Sequence, residues 1–271
     1  MQTSLLRLRR EIIHVGRRTY ERGYVASNDG NISARVDDRR VLITPTGVSK
    51  GFMKEEDLVL VDMDGKVLTP GKRASSEVFM HLRIYKERPD VNSVCHAHPI
   101  HATGYAVAGL SLEKCVLPEV IIALGGIPLV EYGEPGTDEF FKPVLKYLKD
   151  HDAFLLANHG ALTIGSSVLN AYHKMETLEH FAHISFVAQQ LGGVRTLPKD
   201  DVKDLLEARA RYGVSATAGC MTCDSPGNAS CEIYQGASAL QDEKANLKPA
   251  GVDREALVKM VTEAVLSKLQ K

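Results

Sequence analysis

Three histidines in two short strings constrain the fold of this chain more than any other feature. His96-Ala97-His98 follows an apolar run, and Asn158-His159-Gly160 follows another apolar run about sixty residues later. In a strand over 91–98 the side chains alternate, so the two histidines of the first string share one face about 6–7 Å apart. The third histidine completes a site if the two strands end side by side. Three nitrogen donors with an open fourth position are typical of catalytic zinc, so the pattern predicts a metal-dependent enzyme.

A His-x-His pair also occurs where an edge strand presents two polar side chains to solvent. That alternative is disfavoured because the residues before His96 are apolar and because the third histidine is followed by a glycine at the end of a second apolar strand. Five further histidines are interpreted as surface or packing residues: His81, His101, His173, His180 and His183.

Composition limits the partners of the chain. The 271 residues, 44% of them hydrophobic, suffice for one substantial core and an appendage. The formal net charge of −1 disfavours nucleic acid or an anionic membrane as a partner, and no apolar stretch reaches membrane-spanning length. The basic segment over 5–10 continues into apolar residues at helical spacing, which favours a first helix over a transit peptide. Without a recognisable secretory signal, we expect a cytoplasmic, reducing location.

Hydrophobic periodicity predicts helices and strands mixed without a strict βαβ alternation. Helices are expected over 4–24, 76–86, 102–108, 143–149, 169–191 and 201–212. Strands are expected over 32–36, 41–44, 58–61, 66–68, 91–98, 119–123, 127–130 and 154–157. This order predicts one layered α/β domain over 1–213 with a mostly antiparallel or mixed sheet.

The composition changes after Gly213. Residues 214–251 are rich in small and polar residues, as expected for a flexible linker. Residues 252–271 carry one apolar stripe and predict a short amphipathic helix, which needs a surface to dock on because an isolated helix of that length is marginal in water. Cys220, Cys223 and Cys231 do not complete a metal set, and Cys95 and Cys115 are interpreted as small core residues.

Three clusters of small polar residues precede the first histidine pair. They are Gly30-Asn31-Ile32-Ser33, Thr44-Pro45-Thr46-Gly47 and Ser75-Ser76-Glu77. Each offers backbone N–H groups and hydroxyls without bulk, and the third lies at a predicted helix N-terminus, where a phosphate is favoured. Ordinary turn and cap chemistry would explain any one cluster alone, so the prediction of an anion site depends on all three. Glu77, one residue into the predicted helix, is a candidate metal ligand or proton carrier.

These five motifs, in this order, resemble those of the class II aldolase/adducin-head family over about residues 4–212, and within it those of L-fuculose-1-phosphate aldolases. The resemblance implies a three-layer α/β/α fold around a central, mostly antiparallel sheet, and a homotetramer with sites at subunit interfaces. It implies a zinc-dependent lyase that cleaves a ketose 1-phosphate. L-Fuculose 1-phosphate is the first candidate, with dihydroxyacetone phosphate and an aldehyde such as L-lactaldehyde as products.

The resemblance also implies roles for individual residues. Zn²⁺ would be bound by His96, His98, His159 and Glu77, and Glu77 would also move a proton. The phosphate of the substrate would be held by Asn31, Thr46, Gly47, Ser75 and Ser76. Tyr212 matches a C-terminal tyrosine that reaches toward the substrate, and either Tyr212 or Glu119 would take the proton of the C4 hydroxyl.

Glu119 departs from the pattern, because L-fuculose-1-phosphate aldolases carry a tyrosine there. An acidic group resembles branches acting on L-rhamnulose 1-phosphate or methylthioribulose 1-phosphate. L-Rhamnulose 1-phosphate, 5-deoxyribulose 1-phosphate and a methylthioribulose-1-phosphate dehydratase therefore stay as alternatives, as does a purely solvated role for Glu119 at a strand end. A non-enzymatic binding protein of the adducin-head type is disfavoured, because the three histidines and Glu77 are all present.

The C-terminal segment resembles the encapsulation peptides of bacterial microcompartments. Such shells confine reactive aldehydes, so residues 252–271 are expected to bind shell proteins and place the enzyme in a microcompartment lumen. The alternative is a helix that packs on the tetramer.

Overall fold

The chain is described by a computed structural model over residues 4–133, 138–212 and 214. Its strands are β1 (Asn31–Asp37), β2 (Arg40–Ile43), β3 (Val59–Asp62), β4 (Ser93–Ala97), β5 (Leu129–Val130), β6 (Ala153–Leu156) and β7 (Gly160–Gly165). They form one sheet in the order β3-β2-β1-β4-β7-β6-β5. All neighbours are antiparallel except β5 and β6, which are parallel. The mostly antiparallel sheet expected from the sequence is confirmed.

Helices cover both faces of this sheet. They are α1 (Leu5–Glu21), α2 (Val78–Glu87), α3 (Ile100–Val107), α4 (Pro118–Ala123), α5 (Asp138–Leu148), α6 (Val168–Gln190) and α7 (Lys199–Ala208). Residues of α1, α3, α4 and α6 share one core with the sheet, and residues of α2 and α5 share a second core on its other face. Two cores on opposite faces of one sheet confirm the expected three-layer α/β/α arrangement.

Strand β4 lies in the middle of the sheet, between β1 and β7. Cys95 and Ala97 are buried in the core of α1 and α6, whereas Val94 is buried in the core of α2. Because side chains alternate along a strand, His96 lies on the same face as Val94, the face that α2 covers. Helices cover β4 on both faces, so all of its residues are buried. Its one histidine faces the N-terminal end of α2.

Three predictions of secondary structure differ from the structure. Residues 119–123, predicted as a strand, lie in helix α4, because Pro118 at its first position has the helical φ already fixed and the apolar run after it fits either state. Residues 66–68 form only a single bridge, Val61 to Val67, rather than a strand. Strand β7 was not anticipated, because it is buried throughout and shows no alternation of apolar and polar residues.

The linker over 214–251, its three cysteines and the helix over 252–271 lie outside the described residues, apart from residue 214. Their predicted roles stay predictions. Among the helices that the structure describes, none combines the length and apolarity needed to cross a membrane.

Candidate metal centre

The register of β4 and the β6–β7 hairpin brings the three histidines together. His96 lies within β4 opposite Leu162 of β7, and His98 follows the strand directly. The last pair of the hairpin joins Leu156 to Gly160, so residues 157–159 form its turn. Asn158 in that turn has a φ of 56°, a left-handed conformation that asparagine adopts more readily than most residues. The turn places His159 beside the end of β4.

The imidazole nitrogens converge on one point. The Nε2 atoms of His98 and His159 lie 3.1 Å and 3.0 Å from Nε2 of His96. Nδ1 of His96 donates to the carbonyl oxygen of Ala161 at 2.9 Å, which leaves the lone pair on Nε2. Burial lowers the pKa of His96 to about 3 and also holds the pKa of His98 below its usual value. Both rings are therefore neutral near pH 7, as metal ligands must be.

The spacing of these atoms fits a divalent cation. Four ligands about 2.0–2.1 Å from a tetrahedral zinc ion lie about 3.3 Å from one another. In addition to the nitrogen separations, Oε1 of Glu77 lies 3.0 Å from Nε2 of His159 and Oε2 lies 3.4 Å from Nε2 of His96. Within the described part of the chain, His96, His98 and His159 form the one cluster whose ligand atoms converge in this way. The donor set of three imidazoles and a carboxylate therefore fits.

Glu77 faces this cluster rather than capping its own helix. It is the N-cap residue of α2, not a residue of the first turn as predicted, and its side chain makes no capping hydrogen bond. Burial by itself would raise the pKa of Glu77. The neighbouring His96, with hydrogen bonds from His159 and Asn31, outweighs burial and holds that pKa far below its usual value. The carboxylate is therefore ionised at neutral pH.

Asn31 is placed beside Glu77 by the pairing of β1 with β4. It lies opposite His96 in the register, and its Nδ2 donates to Oε2 of Glu77 at 2.5 Å. Its Oδ1 accepts from Nε2 of His81, a residue that the sequence suggested only for surface or packing. Asn31 can therefore offer a phosphate no more than its second amide hydrogen. His81 could have been noticed, since it lies four residues after Glu77 and so on the same face of α2.

The loops that carry the predicted phosphate residues are joined to each other. Pro45 and Ala74 form an antiparallel bridge, and the backbone N–H of Ser75 donates to the carbonyl of Thr44 at 3.2 Å. This pairing places Thr46 beside Arg73 and Thr44 beside Ser75, so the two loops run side by side. Ser75 in turn accepts a hydrogen bond from the backbone N–H of Glu77 at 3.3 Å. The three polar clusters seen in the sequence thus form one region next to the histidines.

Gly160 packs tightly against two of the histidines. A Cβ atom at this position would lie 2.5 Å from Cδ2 of His98 and 2.7 Å from the carbonyl oxygen of Ala97. Real side chains essentially never approach this closely. The close packing of β7 against β4 beside the metal centre therefore requires glycine here.

Glu119 and Tyr212 belong to two segments that are joined to each other, helix α4 and the turn that follows α7. Glu119 is exposed in the first turn of α4, and Tyr212 is 69% exposed at the end of a 3₁₀ turn over Arg209–Tyr212. The buried guanidinium of Arg209 donates to the carbonyl of Ile121 at 2.6 Å and 3.0 Å, which ties that turn to α4. Within one chain, the structure shows no hydrogen bond from either candidate base to the described histidines or to Glu77.

Comparison with known proteins identifies the family of the chain. Residues 10–186 match the model of the class II aldolase and adducin N-terminal domain. A 3-oxo-tetronate 4-phosphate decarboxylase from Haemophilus influenzae is 35% identical over 72% of this chain and 93% of that protein. An L-fuculose phosphate aldolase from Methanococcus vannielii is 39% identical over 66% of this chain and 95% of that protein.

A solved structure of L-fuculose 1-phosphate aldolase is similar over 76% of this chain and 96% of its own, with 30% identity and a TM-score of 0.69. The matched residues 10–186 include the three histidines and Glu77. The chain therefore belongs to the class II aldolase and adducin N-terminal domain family, in which the aldolases are metal-dependent lyases.

Proposed function

We propose that this chain is a zinc-dependent aldolase that cleaves a ketose 1-phosphate, with L-fuculose 1-phosphate as the first candidate. The observation that carries the proposal is the convergence of the three imidazole nitrogens, which lie within 4.8 Å of one another, with the Glu77 carboxylate 3.0 Å from Nε2 of His159 and 3.4 Å from Nε2 of His96. Relatives named L-fuculose phosphate aldolase, with up to 39% identity, support the choice of reaction. Three nitrogen donors and one carboxylate support zinc over magnesium or calcium, which prefer oxygen ligands.

The cation would be held by His96, His98 and His159, with Glu77 as a fourth ligand until substrate arrives. When bound, such a cation stabilises the negative charge that develops next to a breaking carbon–carbon bond. The hydrogen bond from His96 to Ala161 orients the first ring, which is the usual way in which a ligating histidine is fixed.

The proton transfers of the reaction would be carried out by Glu77 and by either Glu119 or Tyr212. As the C3–C4 bond breaks, its electron pair moves toward the ketone at C2, and a base takes the proton of the C4 hydroxyl so that the aldehyde can leave. Glu119 or Tyr212 is the candidate base. Because the Glu77 carboxylate is ionised, it would first take a proton from solvent and then deliver it to C3 to give dihydroxyacetone phosphate, while the base returns the hydroxyl proton to solvent.

The phosphate would be held by the joined loops. Thr46, Ser75 and Ser76 offer hydroxyls and Gly47 and Ser76 offer backbone N–H groups, with one side-chain amide hydrogen of Asn31 at most. Gly47 has a φ of 72° and nothing within 4 Å of a Cβ at its position, so its backbone is open to a ligand.

Glu119 and Tyr212 are exposed in a single chain and are not joined to the metal centre within it. In the proposed homotetramer, the α4 region of one subunit would complete the site of its neighbour. This arrangement accounts for the exposure of both candidate bases in a single chain.

A second candidate reaction is decarboxylation of a 3-oxo acid phosphate. It is favoured by the relative named 3-oxo-tetronate 4-phosphate decarboxylase, which is 35% identical over 72% of this chain. Both reactions break a carbon–carbon bond whose electron pair moves toward a ketone. Loss of carbon dioxide needs no base for a hydroxyl group, so only the aldolase requires Glu119 or Tyr212.

A panel of phosphorylated substrates tests the reaction. We expect the purified chain with zinc to release dihydroxyacetone phosphate from L-fuculose 1-phosphate, L-rhamnulose 1-phosphate or 5-deoxyribulose 1-phosphate, measured with a coupled reductase. Release of carbon dioxide from 3-oxo-tetronate 4-phosphate without triose phosphate would establish the decarboxylase instead. Loss of water from methylthioribulose 1-phosphate without carbon–carbon cleavage would establish the dehydratase.

The C-terminal segment is proposed to target the enzyme to a microcompartment lumen. Deletion of residues 252–271 should leave the cleavage rate unchanged and abolish co-purification with shell proteins in a host that makes both. Unchanged co-purification would contradict targeting, and a shift from tetramer to smaller species on gel filtration would assign the segment to subunit packing.

A further inference from the structure

A row of buried polar side chains leads away from Glu77 into the core beneath α2. Glu77, His81 and Tyr85 are spaced four residues apart and so lie on one face of the start and body of α2. Asn31 and Ser33 are two residues apart on β1 and so share one face of the sheet. Side chains of α2 and β1 alternate along the row in the order Glu77, Asn31, His81, Ser33 and Tyr85, and each contacts the one that follows.

The hydrogen bonds of this row are short and continuous. The hydroxyls of Tyr85 and Ser33 lie 2.7 Å apart, and Ser33 Oγ lies 2.6 Å from Nδ1 of His81. Nε2 of His81 contacts Oδ1 of Asn31, and Nδ2 of Asn31 lies 2.5 Å from Oε2 of Glu77. Ser33, His81 and Tyr85 are each no more than 1% exposed, so water does not compete for these bonds.

The groups at the two ends of the row determine which atom donates and which accepts in each of its hydrogen bonds. The Glu77 carboxylate can only accept, so Asn31 turns its amide nitrogen toward Glu77 and its oxygen toward His81. An amide oxygen can only accept, so His81 carries its proton on Nε2, and Nδ1 accepts from Ser33. At the far end, the backbone N–H of Val94 bonds the Tyr85 oxygen, which leaves the phenol proton for Ser33.

We propose that His81 is a positioning residue that acts through Asn31 to hold the Glu77 carboxylate in place for the metal. The proposal rests on the metal site of the proposed function. Without a donor at Nε2 of residue 81, the amide of Asn31 is no longer held on its oxygen side, so it can move away and leave the Glu77 carboxylate without its hydrogen bond. Groups that orient metal ligands in this manner usually account for about 10- to 100-fold in metal affinity or activity.

Two substitutions separate positioning from packing. In His81→Gln the amide nitrogen occupies roughly the position of Nε2 and can still donate to Asn31. In His81→Asn the shorter amide reaches only the position of Nδ1, so that donor is lost. Both variants remove the same buried ring, and we expect both to lower the midpoint of thermal unfolding.

The measurement is the zinc dissociation constant of the full chain, obtained by competition with a chromophoric chelator in the absence of substrate. We expect zinc binding to weaken about 10-fold or more in His81→Asn and to stay within about threefold of the original chain in His81→Gln. Equal zinc affinity in the two variants, whether both retained or both weakened, would overturn the proposal, because a packing role does not distinguish them.

A double substitution gives a second test if His81→Asn folds poorly. If His81 acts only through Asn31, then Asn31→Ala should weaken zinc binding, and adding His81→Phe, which keeps a ring but removes the donor, should weaken zinc binding no further. Additive losses in the double variant would contradict an action through Asn31. Tyr85→Phe, which leaves the His81 donor intact, should keep the original zinc affinity.

These outcomes are distinct from those of the substrate panel. If the aldolase assignment is wrong, the original chain cleaves no ketose phosphate while the difference between the two His81 variants in zinc affinity persists. If the positioning role is wrong, the original chain binds zinc and turns over substrate while that difference is absent.

Discussion

Replacing Gly160 by alanine should disrupt the metal centre although no metal ligand is replaced. The added methyl would lie 2.5 Å from the His98 ring and 2.7 Å from the Ala97 carbonyl oxygen, so β7 and β4 would have to separate or the His98 ring would have to move. Overpacking of this kind costs about 1–3 kcal/mol of folding stability. We expect zinc affinity to fall at least about 10-fold, measured by chelator competition, and cleavage to fall with it.

Gly104→Ala is the matched control. Gly104 lies within α3, and a Cβ atom there would meet nothing within 4 Å. Alanine within a helix is more favourable than glycine by about 0.5–1 kcal/mol, so this variant should be slightly more stable and bind zinc normally. Normal zinc binding in Gly160→Ala would contradict the prediction, because it would show that zinc binding does not require the close packing of β7 on the histidines.

Glu77→Gln should retain metal and lose catalysis. The amide has nearly the same shape as the carboxylate, and the three histidines remain, so zinc supplied in excess should still bind at one ion per chain. A glutamine cannot carry the proton for C3, and general acid–base groups contribute about 10²- to 10⁴-fold to rates. We expect kcat to fall by about 100-fold or more, with a smaller change in KM.

Glu87→Gln is the control for this substitution, since Glu87 is exposed at the other end of the same helix and pairs with a surface arginine, Arg83. Its rate should equal that of the original chain. A near-normal kcat in Glu77→Gln with zinc bound would remove Glu77 from the chemistry and leave it as a metal ligand alone.

The central part of the fold could be predicted because its signals are local. The spacing of His96 and His98 in a strand and the apolar run before His159 could be recognised from neighbouring residues. The structure brings these three histidines together. Helix α4 was missed because a short apolar run after a proline is compatible with a strand or a helix. Strand β7 was missed because a strand buried on both faces shows no alternation.

The environment of Glu77 could not be predicted, because it depends on contacts distant in sequence. Its partner Asn31 is 46 residues away, and His159 is 82 residues away. The sequence left open whether burial or nearby groups would control the pKa of Glu77, and the structure shows that the nearby groups outweigh burial. The spacing of four residues from Glu77 to His81 and Tyr85 was visible in the sequence. The hydrogen bonds from His81 to Asn31 and Ser33 of β1, which explain that spacing, could not be predicted.

The most direct test of this account is a crystal structure of the chain grown with zinc, with anomalous data collected at the zinc edge. We predict one strong anomalous peak per chain, about 2.0–2.1 Å from the Nε2 atoms of His96, His98 and His159. Imidazole rings that face away from one another with zinc in excess, or a peak bonded to other residues, would contradict it.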